Sequence, residues 1–284
     1  MTNYAIITDT DSSLPTDVAA RYNIRQVPIN IHFGQETFRA GVDIDDAALF
    51  ARIDREGVFP TSSAPSPGQF AEAYRAAFEE GADAIVCFCV SGEVSATYSA
   101  GVTACDEFPG REITVVDTRS LTMGQGFMVL AAAEAAAAGG TKDEIIARAL
   151  EISKRVHLYA ALSTLKYLAM SGRVETLSAG VANLLNIKPI LTLREGKLDL
   201  LERIRTQRKA WRRVIELAVE AAGGRPVEQM AILHVNALAE AREFEAQLCG
   251  SLPCPENVML AELTPGLSIY GGTGMVGVAF VAGE

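Results

Sequence analysis

Four short polar segments have residue types that could bind an anion. They span residues 9–13, 61–67, 91–97 and 117–120, and each precedes a segment that we predict to be helical. The N-terminus of a helix carries unpaired N–H groups and a partial positive charge, which attract anions. Serine, threonine and aspartate also cap helices routinely, so capping alone is the alternative for any single segment. Several such segments at one edge of a sheet would favour an anion site.

Serine catalysis is a second interpretation of these hydroxyl-rich segments. A serine nucleophile needs a base and an orienting acid beside it. Ser95 is the candidate nucleophile, and His32, His157 and His234 are the candidate bases. The segment around Ser95 lacks the second glycine of a nucleophile elbow, and each histidine is more simply a packed or surface residue. We therefore predict no catalytic residue and no metal site.

A basic cluster stands out in the second half. Six cations lie within 11 positions without an acid between them, and they are Arg203, Arg205, Arg208, Lys209, Arg212 and Arg213. If a helix begins near Arg208, residues four apart share a face. A solvated helix face is one explanation. The functional alternative is a docking surface for an acidic or phosphate-bearing partner.

The segment Gly272-Thr273-Gly274-Met275-Val276-Gly277 matches the Gly-x-Gly-x-x-Gly pattern of dinucleotide-binding loops. That pattern needs a strand before it, a helix after it, and an acid about 20 positions further on. Here the chain continues for seven residues that are typical of a strand. We predict instead a glycine loop that lets the backbone approach a ligand or a neighbouring strand.

Composition excludes several classes of protein. The 284 residues are 49% hydrophobic and 21% charged, which is typical of a globular chain of about two domains. The net charge of −10 argues against nucleic-acid binding through bulk charge. The apolar run at 127–138 is shorter than a membrane span and contains Glu134, and the N-terminus has no basic start of a secretory signal. We expect a cytoplasmic protein in which the five cysteines are reduced.

The first half alternates strand-like and helical segments, which predicts βαβ units and a parallel sheet. Ligands of such sheets lie beyond the carboxyl ends of the strands. The predicted strands are 4–8, 25–33, 84–90 and 113–116. The predicted helices are 15–22, 68–79, one that follows the loop 91–97 and runs toward 108, and one that follows the loop 117–122 and runs through 138.

The second half has a different pattern, in which strands cluster and a hairpin turn is predicted at 195–197. This indicates a mixed sheet covered by helices. The predicted strands are 158–162, 188–193, 197–204, 229–235, 257–263 and 275–282, and the helices are 142–154, 164–170, 179–185, 208–222 and 238–248. We therefore predict a two-domain α/β protein, with an α/β/α parallel-sheet domain at 1–155, a two-layer mixed-sheet domain at 156–284, and a cleft between them.

The order and spacing of these segments resemble the DegV family of bacterial fatty-acid-binding proteins over nearly the whole chain. Each motif is weak alone, and their sequence along the chain makes the resemblance strong. The matching segments are 6–13, 61–67, 91–98, 115–126, 165–174, 185–191 and 205–210.

The resemblance implies one long-chain fatty acid such as palmitate, held in an apolar tunnel between two α/β domains, and no cofactor. It implies that hydroxyls at Ser62 and Ser95 bind the carboxylate, with Ser63 and Thr97 beside them. It also implies a carrier without catalysis of its own, which presents the acid to a separate fatty-acid kinase. Arg173, Arg205, Arg208 and Lys209 would then dock that partner or its phosphates.

The chain departs from the family pattern near its end. Tyr270 lies in the segment where the family commonly has histidine, and we expect its hydroxyl to replace that partner of the carboxylate in part. Two alternatives remain at this stage: a serine-dependent hydrolase or transferase, and a small-metabolite sensor that uses the same cleft.

Overall fold

The fold is described from a computed structural model for residues 2–165, 168, 171, 173 and 187–284. In this part of the chain the strands are β1 (Tyr4–Asp9), β2 (Arg25–Val27), β3 (Asn30–Phe33), β4 (Glu36–Arg39), β5 (Thr61–Ser63), β6 (Ala84–Cys89), β7 (Glu112–Asp117), β8 (Val156–Ala161), β9 (Lys188–Arg194), β10 (Lys197–Ile204), β11 (Val227–His234), β12 (Val258–Glu262) and β13 (Val276–Ala282). The helices are α1 (Thr16–Arg21), α2 (Asp46–Glu56), α3 (Pro67–Glu79), α4 (Thr97–Ala104), α5 (Thr122–Ala137), α6 (Lys142–Ser153), α7 (Gln207–Ala222), α8 (Leu238–Cys249) and α9 (Pro265–Gly271).

The first sheet is parallel throughout, with the strand order β2-β1-β6-β7. Its inner strand β6 is buried at every position, as expected for a parallel strand covered on both faces. Ile85 and Cys87 pack with α3 on one face, whereas Val86 and Phe88 pack with α5 on the other. The predicted α/β/α arrangement of the first half is therefore confirmed.

The second sheet is mixed and has the order β10-β9-β8-β13-β11-β12. β11 and β12 are parallel, and the other neighbouring strands are antiparallel. Alternate residues face opposite sides, so Ile232 packs with α7 and α8 whereas Leu233 packs toward α5. The predicted mixed sheet with helices on it is confirmed. The chain passes from the first sheet to the second after α6, where β8 begins. The division into two domains at residue 155 stays a prediction.

Helix α5 lies between the two large sheets. It contacts β1 and β6 of the first sheet and β8, β11 and β13 of the second. Its residues from Thr122 to Ala133 are all buried. Because the helix is covered on every side, its sequence is mostly apolar all round rather than amphipathic. The alanine-rich run that resembles a short membrane segment in the sequence is thus the central layer of the fold. No helix in the described part of the chain is long and apolar enough to span a bilayer.

A small third sheet, with the order β4-β3-β5, is antiparallel and was not predicted. The prediction of one strand over 25–33 was wrong, because the chain leaves the first sheet after Val27 and enters the third at Asn30. Pro28 has no N–H to continue the ladder. The next N–H, of Ile29, donates to Thr10 Oγ1 at 3.0 Å.

Two structural features that depend on glycine confirm predictions made from the sequence. Glu195 and Gly196 form the β9–β10 turn with φ of 51° and 83°. Gly277 lies in β13 where a Cβ would be 2.7 Å from Tyr159 O and 2.9 Å from Ala160 Cα of β8. The glycine motif therefore lets neighbouring strands approach, as predicted.

Two other expectations have different outcomes. Cys249 and Cys254 form a disulfide, so the prediction that all five cysteines are reduced was wrong for this pair. The turn after α8 brings their Cα atoms within 5.3 Å of each other, inside the range that a disulfide needs. The predicted helix at 179–185 and most of the one at 164–170 lie outside the described residues.

Candidate functional site

A cavity lies where loops of the first half meet the second sheet and α9. Its walls are mainly apolar, and nine of the described residues that line it are leucines. The space between atoms is about 870 Å³ when the part open to solvent is included.

Strand β5 carries two of the hydroxyls that line the cavity, those of Ser62 and Ser63. The segment after β5 is fixed from two sides. Ser66 caps α3 through a capping box with Gln69, and Asn30 of β3 donates to Gln69 Oε1 at 3.0 Å. The predicted polar segment at 61–67 is therefore part strand and part helix cap, and its cavity-facing hydroxyls are not used for capping.

Tyr270 reaches the same place from α9. Its hydroxyl and Ser62 Oγ are 2.7 Å apart, and either can be the donor. The guanidinium carbon of Arg173 lies 4.5 Å from the centre of the Tyr270 ring, which is the geometry of a cation–π contact. Arg173 also lines the cavity. The structure thus places Arg173 with the hydroxyls, although we predicted it together with the docking cations.

Ser95 follows β6 and lines the cavity as well. Its backbone N–H and that of Val94 both donate to Ser91 O at 3.1 Å, which forms a tight turn before α4. Ser95 Oγ lies 2.7 Å from Thr97 Oγ1. Thr97 itself is fully buried and is not part of the cavity lining. It therefore contacts Ser95 rather than the cavity, and a ligand-binding role for Thr97 stays a prediction.

Two buried carboxyls, Asp9 and Asp11, lie at the end of β1. Asp9 accepts hydrogen bonds from the N–H of Val90 at 2.7 Å, from the N–H of Asp11 at 3.0 Å and from Gln125 Nε2 at 3.3 Å. Burial raises the pKa of Asp9 to about 6, although these donors lower it in part. Burial and the charge of Asp9 raise the pKa of Asp11 well above its usual range, and Arg173 offsets part of that rise.

Unpaired polar atoms concentrate around this strand end. Among the described residues, Asp11 Oδ1, Ser12 Oγ, Ser13 Oγ, Thr122 Oγ1 and Gln125 Oε1 are buried without a hydrogen-bond partner. Asp11 and Thr122 line the cavity. Buried polar atoms are nearly always paired with protein or water, so a cluster of exceptions marks a place where a further group is expected.

The predicted docking cations lie elsewhere. Arg205, Arg208 and Lys209 are exposed at the start of α7, and Arg208 borders a surface groove between α7 and α8. Arg213, from the same basic cluster, forms ion pairs with Glu202, Glu216 and Glu220. The cluster is therefore divided, because three acids on β10 and α7 pair with its last member. A docking role for the exposed members stays a prediction.

The described contacts do not supply the base that serine catalysis at Ser95 requires. The described hydrogen-bond partner of Ser95 Oγ is Thr97. Of the candidate bases, His157 stacks on Phe280, and His234 lies 3.7 Å from Glu262. His32 Nε2 is 2.8 Å from Ser63 Oγ, but its other nitrogen contacts Thr37 rather than a carboxylate.

Sequence reasoning missed Asp11 as a residue of this cavity. The sequence indicated the polar segment 9–13 as a candidate. Nothing in that segment showed that Asp9 accepts hydrogen bonds from the backbone whereas Asp11 Oδ1 has no partner among the described residues. A sequence signal exists in principle. Two aspartates separated by one residue at the end of a buried strand cannot both cap the same turn, so one of them needs another role.

Comparison with known proteins identifies relatives over the full length. A profile of the DegV family, which is described as a family of uncharacterised proteins, matches residues 3–283. A DegV domain-containing protein of Streptomyces coelicolor is 35% identical over 96% of each chain. One from Mycobacterium tuberculosis is 34% identical over 98% of this chain and 97% of its own.

Solved structures give the same result. A DegV family protein from Thermus thermophilus, described by its fatty acid binding, is 31% identical with a TM-score of 0.87, and the match covers 99% of this chain and 100% of that one. DegV of Bacillus subtilis, described as a fatty acid binding protein, is 27% identical with a TM-score of 0.86 over the whole of both chains.

Proposed function

The chain belongs to the DegV family, and we propose that it binds a long-chain fatty acid in the cavity and presents the carboxylate at its hydroxyl-lined part. The observation that carries this proposal is the composition of one continuous lining. Ser62, Ser95 and Tyr270 contribute hydroxyls to it, and leucines form much of the remainder. A ligand that suits both parts has one small polar end and an alkyl body.

Neutral hydroxyls suit the carboxylate. Each donates one hydrogen bond without bringing a buried charge, and Arg173 supplies the positive charge nearby. In our proposal Ser62, Ser63, Ser95 and Tyr270 hold the headgroup, and Thr97 keeps Ser95 in place. A shallow polar cleft, as a small-metabolite sensor would need, does not match the leucine-rich lining.

Burial of the alkyl chain is the main source of affinity. At about 0.8 kcal/mol per buried CH₂, a palmitate-sized chain contributes on the order of 10 kcal/mol before the entropic cost of binding. The headgroup contacts then contribute mainly orientation and selectivity for an acid over other lipids.

Mass spectrometry of the purified, denatured protein tests the proposal. We expect a fatty acid to be released in near-stoichiometric amount after bacterial expression. We also expect delipidated protein to take up added palmitate and not hexanoate, because the short chain buries too little area. Absence of any released acyl chain, combined with no uptake of palmitate, would disprove the proposal.

We further propose that the exposed cations at the start of α7 dock a fatty-acid kinase. Arg205, Arg208 and Lys209 carry like charge on one exposed segment of an acidic protein, which favours an acidic or phosphate-bearing partner. Reversal of charge at Arg208 and Lys209 should slow ATP-dependent formation of acyl phosphate by a purified bacterial fatty-acid kinase and leave palmitate binding unchanged. Equal rates for the variant and the wild type would refute the docking role.

A further inference from the structure

The Asp11 side chain is a buried carboxyl in the lining of the cavity whose hydrogen bonding is incomplete. The residue is 6% exposed, and its Oδ1 has no hydrogen-bond partner in the described part of the chain. The oxygen abuts Gly266 of α9, where a Cβ would come within 2.5 Å of it. An unpaired buried oxygen at a ligand cavity indicates a partner that arrives with the ligand.

The position of Asp11 relative to the hydroxyls follows from α9. Gly266 lies against Asp11, and Tyr270 lies against Ser62. Residues four apart in a helix are neighbours on one face, about 6 Å from each other. Asp11 and the hydroxyl pair therefore lie against the same short helix and line the same cavity, which is where our proposal places the headgroup.

The neighbouring Asp9 decides which of the two carboxyls carries a proton. Asp9 accepts three hydrogen bonds from N–H donors, which stabilise its ionised form, whereas Asp11 Oδ1 accepts none from the described residues. Two adjacent buried carboxyls do not both ionise readily, because like charges repel strongly at low dielectric. The proton is therefore expected on Asp11, and burial together with Asp9 raises the pKa of Asp11 in agreement with that assignment.

The other groups around Asp11 do not remove this proton. Arg173 is the described cation whose charge lowers the pKa of Asp11, and it offsets only part of the rise caused by burial and by Asp9. Helix α5 packs against the Asp11 turn with Thr122 and Gln125, which do not ionise, and α9 contributes the Tyr270 phenol on the same wall. Asp9 is the acid that faces it.

We propose that Asp11, as a neutral carboxylic acid, donates a hydrogen bond to the anionic oxygen of the bound headgroup and thereby selects a carboxylate. This inference rests on the proposed function and adds to it a pH-dependent headgroup residue. Loss of the proton would place two negative charges side by side, so binding of an acid requires that Asp11 stay protonated.

Binding titrations between about pH 6 and about pH 10 test the inference, with dodecanoate as the probe and uncharged dodecanamide as its control. For the wild type we expect affinity for dodecanoate to fall by up to about tenfold per pH unit once Asp11 ionises, and affinity for dodecanamide to stay constant. Asp11→Asn keeps a donor and has no proton to lose, so its affinity for dodecanoate should be within about threefold of wild type near neutral pH and independent of pH. Asp46→Asn, at a buried carboxyl outside the lining, should keep the wild-type profile.

Each contrary outcome is decisive. A wild-type profile in Asp11→Asn, loss of the pH dependence in Asp46→Asn, or a flat profile in the wild type together with no protonated-carboxyl band in the infrared test below would overturn the inference. Much tighter binding by Asp11→Asn at neutral pH would also overturn it, since that would show an ionised, repelling Asp11. Failure of the wild type to bind dodecanoate at any pH would instead refute the proposed function.

Infrared difference spectroscopy on the wild type gives a test that does not depend on folding of the variant. With dodecanoate labelled with carbon-13 at the carboxyl, the protein carbonyl stretch of a protonated carboxyl should shift on binding, because its hydroxyl gains an acceptor. A spectrum without a shifted protonated-carboxyl band would disprove the inference.

Discussion

Ser62 Oγ and the Tyr270 hydroxyl lie 2.7 Å apart although 208 positions separate the two residues. The contact joins the small third sheet to α9 at the lining of the cavity. Without a ligand, one of the two hydroxyls donates its single proton to the other. When a carboxylate is bound, both can donate to it, because an anion accepts several hydrogen bonds. If the proposed carboxylate binds here, the pair exchanges its internal hydrogen bond for bonds to the ligand.

Substitution Ser62→Ala should weaken binding of palmitate more than it weakens the fold. A hydrogen bond to a charged acceptor contributes about 1.5–3 kcal/mol, so we expect the dissociation constant to rise by about tenfold or more. Isothermal titration of delipidated protein measures this. Thr61→Ala is the matched control, since Thr61 is exposed on the same strand and does not line the cavity. Equal affinities of the two variants would contradict a headgroup role for Ser62.

The sequence predicted the polar segment around Ser62 but could not predict its contact with Tyr270. Helices and strands follow from local periodicity, which is why β1, β6 and α5 match their predicted positions closely. The third sheet depends on pairing between short strands that carry little apolar patterning of their own. β4 and β5 are mostly exposed, so no alternation marked them in the sequence.

Ser95→Ala separates a binding role from a capping role. Ser95 Oγ accepts a long hydrogen bond of 3.3 Å from the N–H of Thr97 and contacts its hydroxyl. We expect a loss of about 1 kcal/mol or less in ligand-free stability and a rise of about tenfold in the dissociation constant for palmitate. Thr97→Val should cost similar stability and less affinity, because Thr97 does not line the cavity. Urea unfolding and titration of both variants measure the difference, and a stability loss in Ser95→Ala without any change in affinity would favour capping alone.

Gly277→Ala should destabilise the second sheet. The added methyl group would lie 2.7 Å from Tyr159 O and 2.9 Å from Ala160 Cα, and backbone atoms cannot move aside as a flexible side chain can. We expect a loss of about 1–3 kcal/mol in the free energy of unfolding. Gly68→Ala is the control, because its methyl group would meet Ser66 Oγ at an ordinary 3.7 Å within α3, and it should be neutral or stabilising. Similar unfolding curves for Gly277→Ala and the wild type would show that the two strands can separate to admit a side chain.

The same glycine shows what spacing can and cannot predict. The segment Gly272–Gly277 matches the glycine motif of nucleotide-binding loops, but the residues around it do not form the strand and helix that such a loop requires. That Gly277 approaches β8 follows from strand order, which brings together residues more than 100 positions apart. Arg173 is a second example, since the sequence shows a cation but not the Tyr270 ring on which it lies.

Asp46 should make the protein less stable as pH rises, because its carboxyl is buried in the folded state. Burial raises the pKa of Asp46 from 3.8 to about 8, although the hydrogen bond from Ser268 lowers it in part. The Ser268 hydroxyl has one proton and two acceptors within reach, Asp46 Oδ2 at 2.5 Å and Leu263 O at 3.0 Å. Both bonds form at once when protonated Asp46 donates to Ser268 and Ser268 donates to Leu263.

The sign of the effect follows from proton counting. Between its unfolded and folded pKa values, Asp46 holds a proton in the folded state and has lost it in the unfolded state, so the free energy of unfolding falls by up to about 1.4 kcal/mol per pH unit across that window. Above about pH 8 the side chain is ionised in both states, and its contribution to the free energy of unfolding becomes constant.

Asp46→Asn keeps a donor to Ser268 and removes the titrating proton. Its free energy of unfolding should therefore exceed that of the wild type by an amount that grows from about pH 5 to about pH 8. Asp45→Asn, at the neighbouring cap of α2, keeps its bond to the N–H of Ala48 and should still lose stability as pH rises, over a window that ends at lower pH, because the charge of Asp45 is one of the causes that raise the pKa of Asp46. Urea unfolding at several pH values measures all three proteins, and parallel curves for Asp46→Asn and the wild type would show that Asp46 ionises freely in the folded state.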